Sequence, residues 1–230
     1  MTIQAEIKKL QSKSRSTTLQ KFFKTGPGEY AEGDIFLGLT VGQSRGIAKK
    51  FKDLTLKVLA PLMTSKIHEE RLIALVILCE RFPKAPETEK SKIFNFLIKY
   101  RKGINNWDLV DTVAPAVFGP YLFQRDRQIL FKYAKSEKLW EKRIAIMSTF
   151  YFLRQHDFTD TLKIATLLMH DEHDLIHKAV GWMLREVGKR DINIEKKFLN
   201  KYATQMPRTM LRYAIEKFPE TERKAYLAKK

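Results

Sequence analysis

The sequence predicts an all-α fold of stacked antiparallel helix pairs, and three observations carry that expectation. Apolar residues recur at spacings of three and four. No stretch alternates with the period of two that a half-buried strand requires. The third observation is a repeat: Ala74, Val110, Ala145, Val180 and Ile215 are spaced by 36, 35, 35 and 35 residues. Three positions before each stands a charged or large residue, namely Arg71, Trp107, Lys142, His177 and Arg212. A period near 35 fits one helix–turn–helix unit seen again and again. Ankyrin and tetratricopeptide signatures are missing, so the unit reads as a degenerate HEAT- or ARM-like repeat. The expected whole is a right-handed α-solenoid with a concave basic groove.

The elements follow in chain order. Residues 2–12 form an amphipathic helix within an N-terminal helical segment of residues 1–24. A Gly-containing connection, residues 25–39, opens on Gly26-Pro27-Gly28. It lacks the Gly-Lys-Ser/Thr ending of a phosphate loop, so no nucleotide cofactor is expected there. Repeats then occupy about 40–230, making one domain of residues 1–230. Helical faces are set by Leu72, Leu75, Val76 and Cys79, by Ile93, Phe96, Leu97 and Tyr100, and by Leu139, Arg143, Ile146, Met147 and Phe150. Pro83, Pro86, Gly103, Pro115, Gly119-Pro120, Pro207 and Pro219 fall between the runs as breakers. The loops are short, which favours antiparallel neighbours.

Composition narrows the function. Lys and Arg number 43 against 26 Asp and Glu, a formal charge of +17. A polyanion partner, nucleic acid or an anionic membrane surface, is implied. The longest apolar run, Leu72–Cys79, is far short of a membrane span, and the N-terminus has no secretory h-region. A single cysteine, Cys79, excludes an intrachain disulfide and a cysteine-based metal site; it is expected to be a small core residue. The cytoplasm is the expected compartment.

Against that positive charge, Asn105-Asn106-Trp107-Asp108-Leu109-Val110-Asp111 stands out. Trp107 and Asp111 are four apart and share a helical face. They read either as a core ring beside a surface acid or as a cation-stabilising pair: an aromatic face next to a carboxylate suits an oxocarbenium-like centre. Arg143, in Leu139-Trp140-Glu141-Lys142-Arg143, offers a planar fork for a phosphate or a surface ion pair with Glu141. Trp182 reads as a groove residue or as a core ring. Gly181 beside it marks the close approach of a helix or of a ligand. His170, His173 and His177 have helical spacing, but Asp171–Asp174 resembles an acidic helix start, and no metal is expected.

Four stretches together resemble the AlkD family of bacterial DNA alkylation-repair glycosylases. They are Asn105–Asp111, Phe22–Tyr30 leading into Phe36-Leu37-Gly38, Leu139–Ile146, and Lys178–Glu186. They stand in family order over roughly residues 20–218. The resemblance implies a HEAT-like fold with alkylated double-stranded DNA in its groove. No cofactor is expected, a groove-forming solenoid can work as a monomer, and association with the nucleoid is expected. The resemblance also implies excision of cationic bases such as N3-methyladenine and N7-methylguanine. On that resemblance Asp111 is the catalytic carboxylate and Trp107 and Trp182 are aromatic walls. Arg143 holds a backbone phosphate and Tyr30 adds an aromatic from the loop. Apart from the resemblance, Lys178, Lys142, Arg71 and Arg212 are expected as further DNA-binding positions, since basic residues repeated along a concave solenoid surface would track a phosphate backbone. Asn106 stands where some members carry a second aromatic, which bears on substrate preference. The competing reading is a non-catalytic HEAT-repeat protein that grips damaged or branched DNA.

Overall fold

The computed structural model describes residues 2–229, which fall into two compact units dividing after Val113. The chain is helical throughout; the nearest approach to a sheet among the described residues is one isolated parallel bridge, Ile35–Ile67.

The first unit holds α1 (Ile3–Leu10), α2 (Lys13–Phe22), α3 (Val41–Lys50), α4 (Leu56–Met63), α5 (His68–Arg81), α6 (Glu87–Lys99) and α7 (Trp107–Val113). Helix α5 is its centre and packs against α1, α3, α4 and α7. Every residue from His68 to Leu78 is buried, so the apolar run of the sequence is a core helix. Cys79 lies at its edge, half-buried, with Sγ donating to the Thr112 carbonyl at 3.6 Å, and burial pushes the thiol up to about 12. It is therefore at the rim of the core, and its thiol is unreactive at neutral pH.

In the second unit are α8 (Gly119–Leu122), α9 (Gln128–Ala134), α10 (Leu139–Arg154), α11 (Thr159–Leu167), α12 (Asp174–Gly188), α13 (Ile192–Tyr202), α14 (Arg208–Ala214) and α15 (Glu220–Ala228). Helix α10 packs against α8, α9, α11 and α12, and α12 against α13 and α14. The repeat read from the sequence is built in. Ala74, Val110, Ala145, Val180 and Ile215 are all 0% exposed. They lie on α5, α7, α10, α12 and the turn that ends α14. Small and β-branched side chains at such buried positions let neighbouring helices pack closely.

One breaker acts otherwise than expected, and Gly181 serves one of its two expected roles. Pro115 does not end the helical run; Ala114–Phe118 widens into a π turn. Proline has no N–H to donate to the residue four back, and a π turn absorbs that loss without stopping the helix. Gly181 is explained by a helix. A Cβ there would collide with the Met210 carbonyl and the Tyr213 Cβ of α14.

Glu195 is 1% exposed on α13, and its Oε1 has no hydrogen-bond partner. Burial pushes its carboxyl up to about 8, against a weaker opposing pull from Arg185. The unfolded chain releases this proton near the ordinary 4.5, whereas the folded chain keeps it to about 8. Stability should therefore fall as pH rises across that window. Glu195→Gln should flatten the fall in urea titrations at several pH values; an unchanged slope would assign the proton to another group.

Candidate active site

Trp107 is the first residue of α7 and is half-buried. Asn106, 0% exposed, accepts the Trp107 N–H on Oδ1 at 2.8 Å, and its backbone carbonyl accepts the Val110 N–H at 3.1 Å to open the first helical turn. Asp111 follows one turn later, also half-buried, so the pair does share one face of α7.

The ring of Trp107 is the end of an aromatic column. Phe23 stacks on it with centroids 5.2 Å apart and planes 14° apart. Phe36 stacks on Phe23 at 4.7 Å, and the His68 imidazole on Phe36 at 4.3 Å. Such pairs contribute about 0.5–1.5 kcal/mol each beyond their buried area. The column fixes Trp107 against α2, the 25–39 connection and α5 together. Phe22 meets the Trp107 ring edge-on, 6.1 Å away.

Beneath the column lies a polar network. His68 Nε2 pairs with Asp108 at 2.8 Å, and Nδ1 reaches Asp34 at 3.4 Å. Arg71 donates to Asp34 at 2.6 Å and to the Ser65 carbonyl at 2.5 Å; Asn105 donates to Asp34 at 3.0 Å. Burial disfavours charge on His68, but its bonds to Asp108 and Asp34 outweigh that and raise its pKa. Burial also opposes ionisation of Asp34. There His68, Arg71 and Asn105 prevail and hold it below the usual carboxylate range. A second acid closes the connection: the Glu69 carboxylate accepts the N–H groups of Leu37, Gly38 and Leu39 at 2.8–3.2 Å. Gly38 has φ of 88°, and a Cβ there would strike the Ser12 carbonyl, so the Phe-Leu-Gly motif needs its glycine on both counts.

Arg71 corrects the sequence-based expectation. It is 2% exposed and held by Asp34 and Ser65, which leaves it no surface to offer a phosphate. Tyr30 lies half-buried in the turns of the connection.

Within the second unit, Trp182 is half-buried on α12, 6.2 Å from Phe150 of α10. Arg154 and Arg190 lie over the Phe150 ring at 4.6 and 5.7 Å. Arg143 is 5% exposed and donates to the Leu175 carbonyl at 2.6 Å, so, as with Arg71, its burial goes against the phosphate contact expected of it. Lys142 pairs with Asp171 at 2.7 Å, and Lys178 with Asp174 at 2.7 Å. These basic groups thus converge on the start of α12. His173 caps that start by accepting the Leu175 N–H, and His177 bonds the Asp171 carbonyl. Two of the three histidines are therefore helix-start residues, and among the described residues no cluster of His, Cys, Asp and Glu is placed to hold a metal ion. Arg212 is exposed on α14.

Sequence reasoning missed Asp34, His68 and Asn105 as supports of the site, and Phe23 and Phe36 as the backing of Trp107. The only signal was the Phe-rich flanks of the 25–39 connection.

An all-α, HEAT-like array of helix pairs with a large positive charge and a Trp–carboxylate pair on one helix face defines a helical-repeat protein of nucleic acid. The chain belongs to the DNA alkylation repair enzyme family, whose model matches residues 3–218. It is a DNA alkylation-repair enzyme of the glycosylase type. The fold is shared with a solved structure from Enterococcus faecalis described as a predicted DNA alkylation repair enzyme. The TM-score is 0.71 at 14% identity, covering 91% of this chain and 97% of that one. No curated protein sequence matches the chain. Among the described residues no helix is long and apolar enough to cross a membrane.

Proposed function

We propose that the protein hydrolyses the N-glycosidic bond of cationic alkylated purines, N3-methyladenine and N7-methylguanine, in double-stranded DNA and leaves an abasic site. The observation that carries this reading is the Trp107–Asp111 pair on one face of α7, with Trp107 fixed from behind by the Phe23–Phe36–His68 column.

An N3- or N7-alkylated purine already bears positive charge. As its bond to C1′ breaks, the bonding pair leaves with the base, which departs neutral. No general acid is needed. Positive charge develops on the deoxyribose, and water then adds at C1′ while its proton is lost to solvent or to a base. In this reading Asp111 stabilises the sugar cation electrostatically and orients the water. Trp107 offers its π-face to the same cation for about 0.5–2 kcal/mol. Trp182 is a second aromatic contact to the DNA, and Arg212 and Lys178 supply phosphate contacts. Arg143 and Lys142 anchor α10 to the start of α12 behind them.

The reading fixes a selectivity. The wild-type enzyme should release N7-methylguanine and N3-methyladenine from duplex DNA, yet leave neutral lesions such as hypoxanthine, whose departure needs a proton donor. Equal release of hypoxanthine would overturn the mechanism.

A further inference from the structure

Phe22 is 62% exposed, the most exposed large apolar side chain among the described residues. It is the last residue of α2, and its ring stands edge-on to two others, Phe23 at 5.1 Å and Trp107 at 6.1 Å. Those two contacts brace the ring, while most of its surface stays in solvent. A ring left exposed at a helix end is usually free to swing; this one is braced against the residue placed at the chemistry. Exposed Lys21 and Lys24 flank it, and Lys24 takes φ of 54°, which turns the chain away directly after the aromatic pair. A braced, solvent-exposed ring with cations next to it in sequence is a combination by which proteins grip an unstacked nucleotide: the ring meets a base face and the cations meet nearby phosphates.

We infer that Phe22 is a DNA-contacting, specificity-determining residue that stacks on a nucleobase next to the alkylated nucleotide, beside Trp107. This rests on the proposed glycosylase reading for the identity of that nucleotide. The occupant follows from position and charge. Phe22 touches Trp107, Trp107 shares its helix face with Asp111, and the flanking lysines select a polyanion. Stacking depends on a flat π-face, so it distinguishes phenylalanine from an aliphatic residue of similar bulk.

The test compares Phe22→Ala, Phe22→Leu and Phe22→Tyr with wild type on three readouts. These are Kd for undamaged duplex, Kd for duplex carrying a cationic pyrrolidine abasic analogue, and fluorescence of 2-aminopurine beside the analogue. Phe22→Ala should weaken analogue binding on the order of tenfold, change undamaged binding less than about twofold, and abolish the fluorescence change. Phe22→Tyr should behave as wild type. Phe22→Leu, which keeps the packing on Phe23 without the π-face, should follow Phe22→Ala. Wild-type binding and fluorescence in Phe22→Ala would overturn the inference, as would a Phe22→Leu variant that behaves like wild type. If the wild-type enzyme releases no alkylated base while Phe22→Ala still loses analogue binding, the glycosylase reading falls and the Phe22 contact stands.

Discussion

Asp111→Asn should lower the rate of alkylated-base release on the order of a hundredfold to a thousandfold, about 3–4 kcal/mol of transition-state stabilisation. The substitution preserves shape and removes only the charge. Trp107, one turn away and gripped by the Phe23 stack, keeps its place. DNA binding should be unchanged or slightly tighter, because one negative charge facing a polyanion is gone. Single-turnover release measured beside Kd separates the two effects. A variant that releases bases at the wild-type rate would remove Asp111 from the chemistry. One that loses binding in parallel with rate would make it a binding residue.

Asp34→Ala should have the largest effect on stability, about 3–5 kcal/mol of a total that is typically about 5–15 kcal/mol. Asp34 is the shared partner of Arg71, His68 and Asn105, and removing it strands two cationic groups in the interior. The consequence reaches α7, because Asn105 and Asp108 flank the turn that starts it at Trp107. The pH dependence carries the network's signature. Asp34 has a depressed pKa, so its contribution is present above its ordinary 3.8 and is lost as pH falls through the lower folded value. His68 has a raised pKa, so its contribution is full below its ordinary 6.5 and is lost as pH rises through the higher folded value. In Asp34→Ala the acid limb should become shallower, and the His68 limb should shift toward lower pH. Denaturant titrations at a series of pH values give both limbs. Curves for variant and wild type that run parallel would mean that Asp34 is uncoupled from His68.

Much of the architecture was legible because it rests on short-range periodicity. Ala74, Val110, Ala145, Val180 and Ile215 could be picked out by spacing, and burial of all five follows from stacking identical units. The Trp107–Asp111 face needed only the pitch of a helix. What stayed hidden depends on chain segments that meet far from each other in sequence. Arg71 looked like any groove cation because Asp34, which holds it inside, lies 37 residues earlier. The column behind Trp107 draws Phe23, Phe36 and His68 from separate segments, and no local pattern announces that meeting. Gly181 could have served a helix or a ligand, and the backbone of α14 decided it. Pro115 signalled a break, yet a local widening of the helix was the lower-cost response.

The central claim is tested most directly by methylated duplex DNA incubated with wild-type enzyme and with Asp111→Asn, scoring free N7-methylguanine and N3-methyladenine together with the abasic sites left behind. Release of both bases in step with abasic sites, by the wild type and not by the variant, is the result expected here. Tight binding by both proteins without any free base would contradict it and assign the protein to gripping damaged DNA without cutting the glycosidic bond.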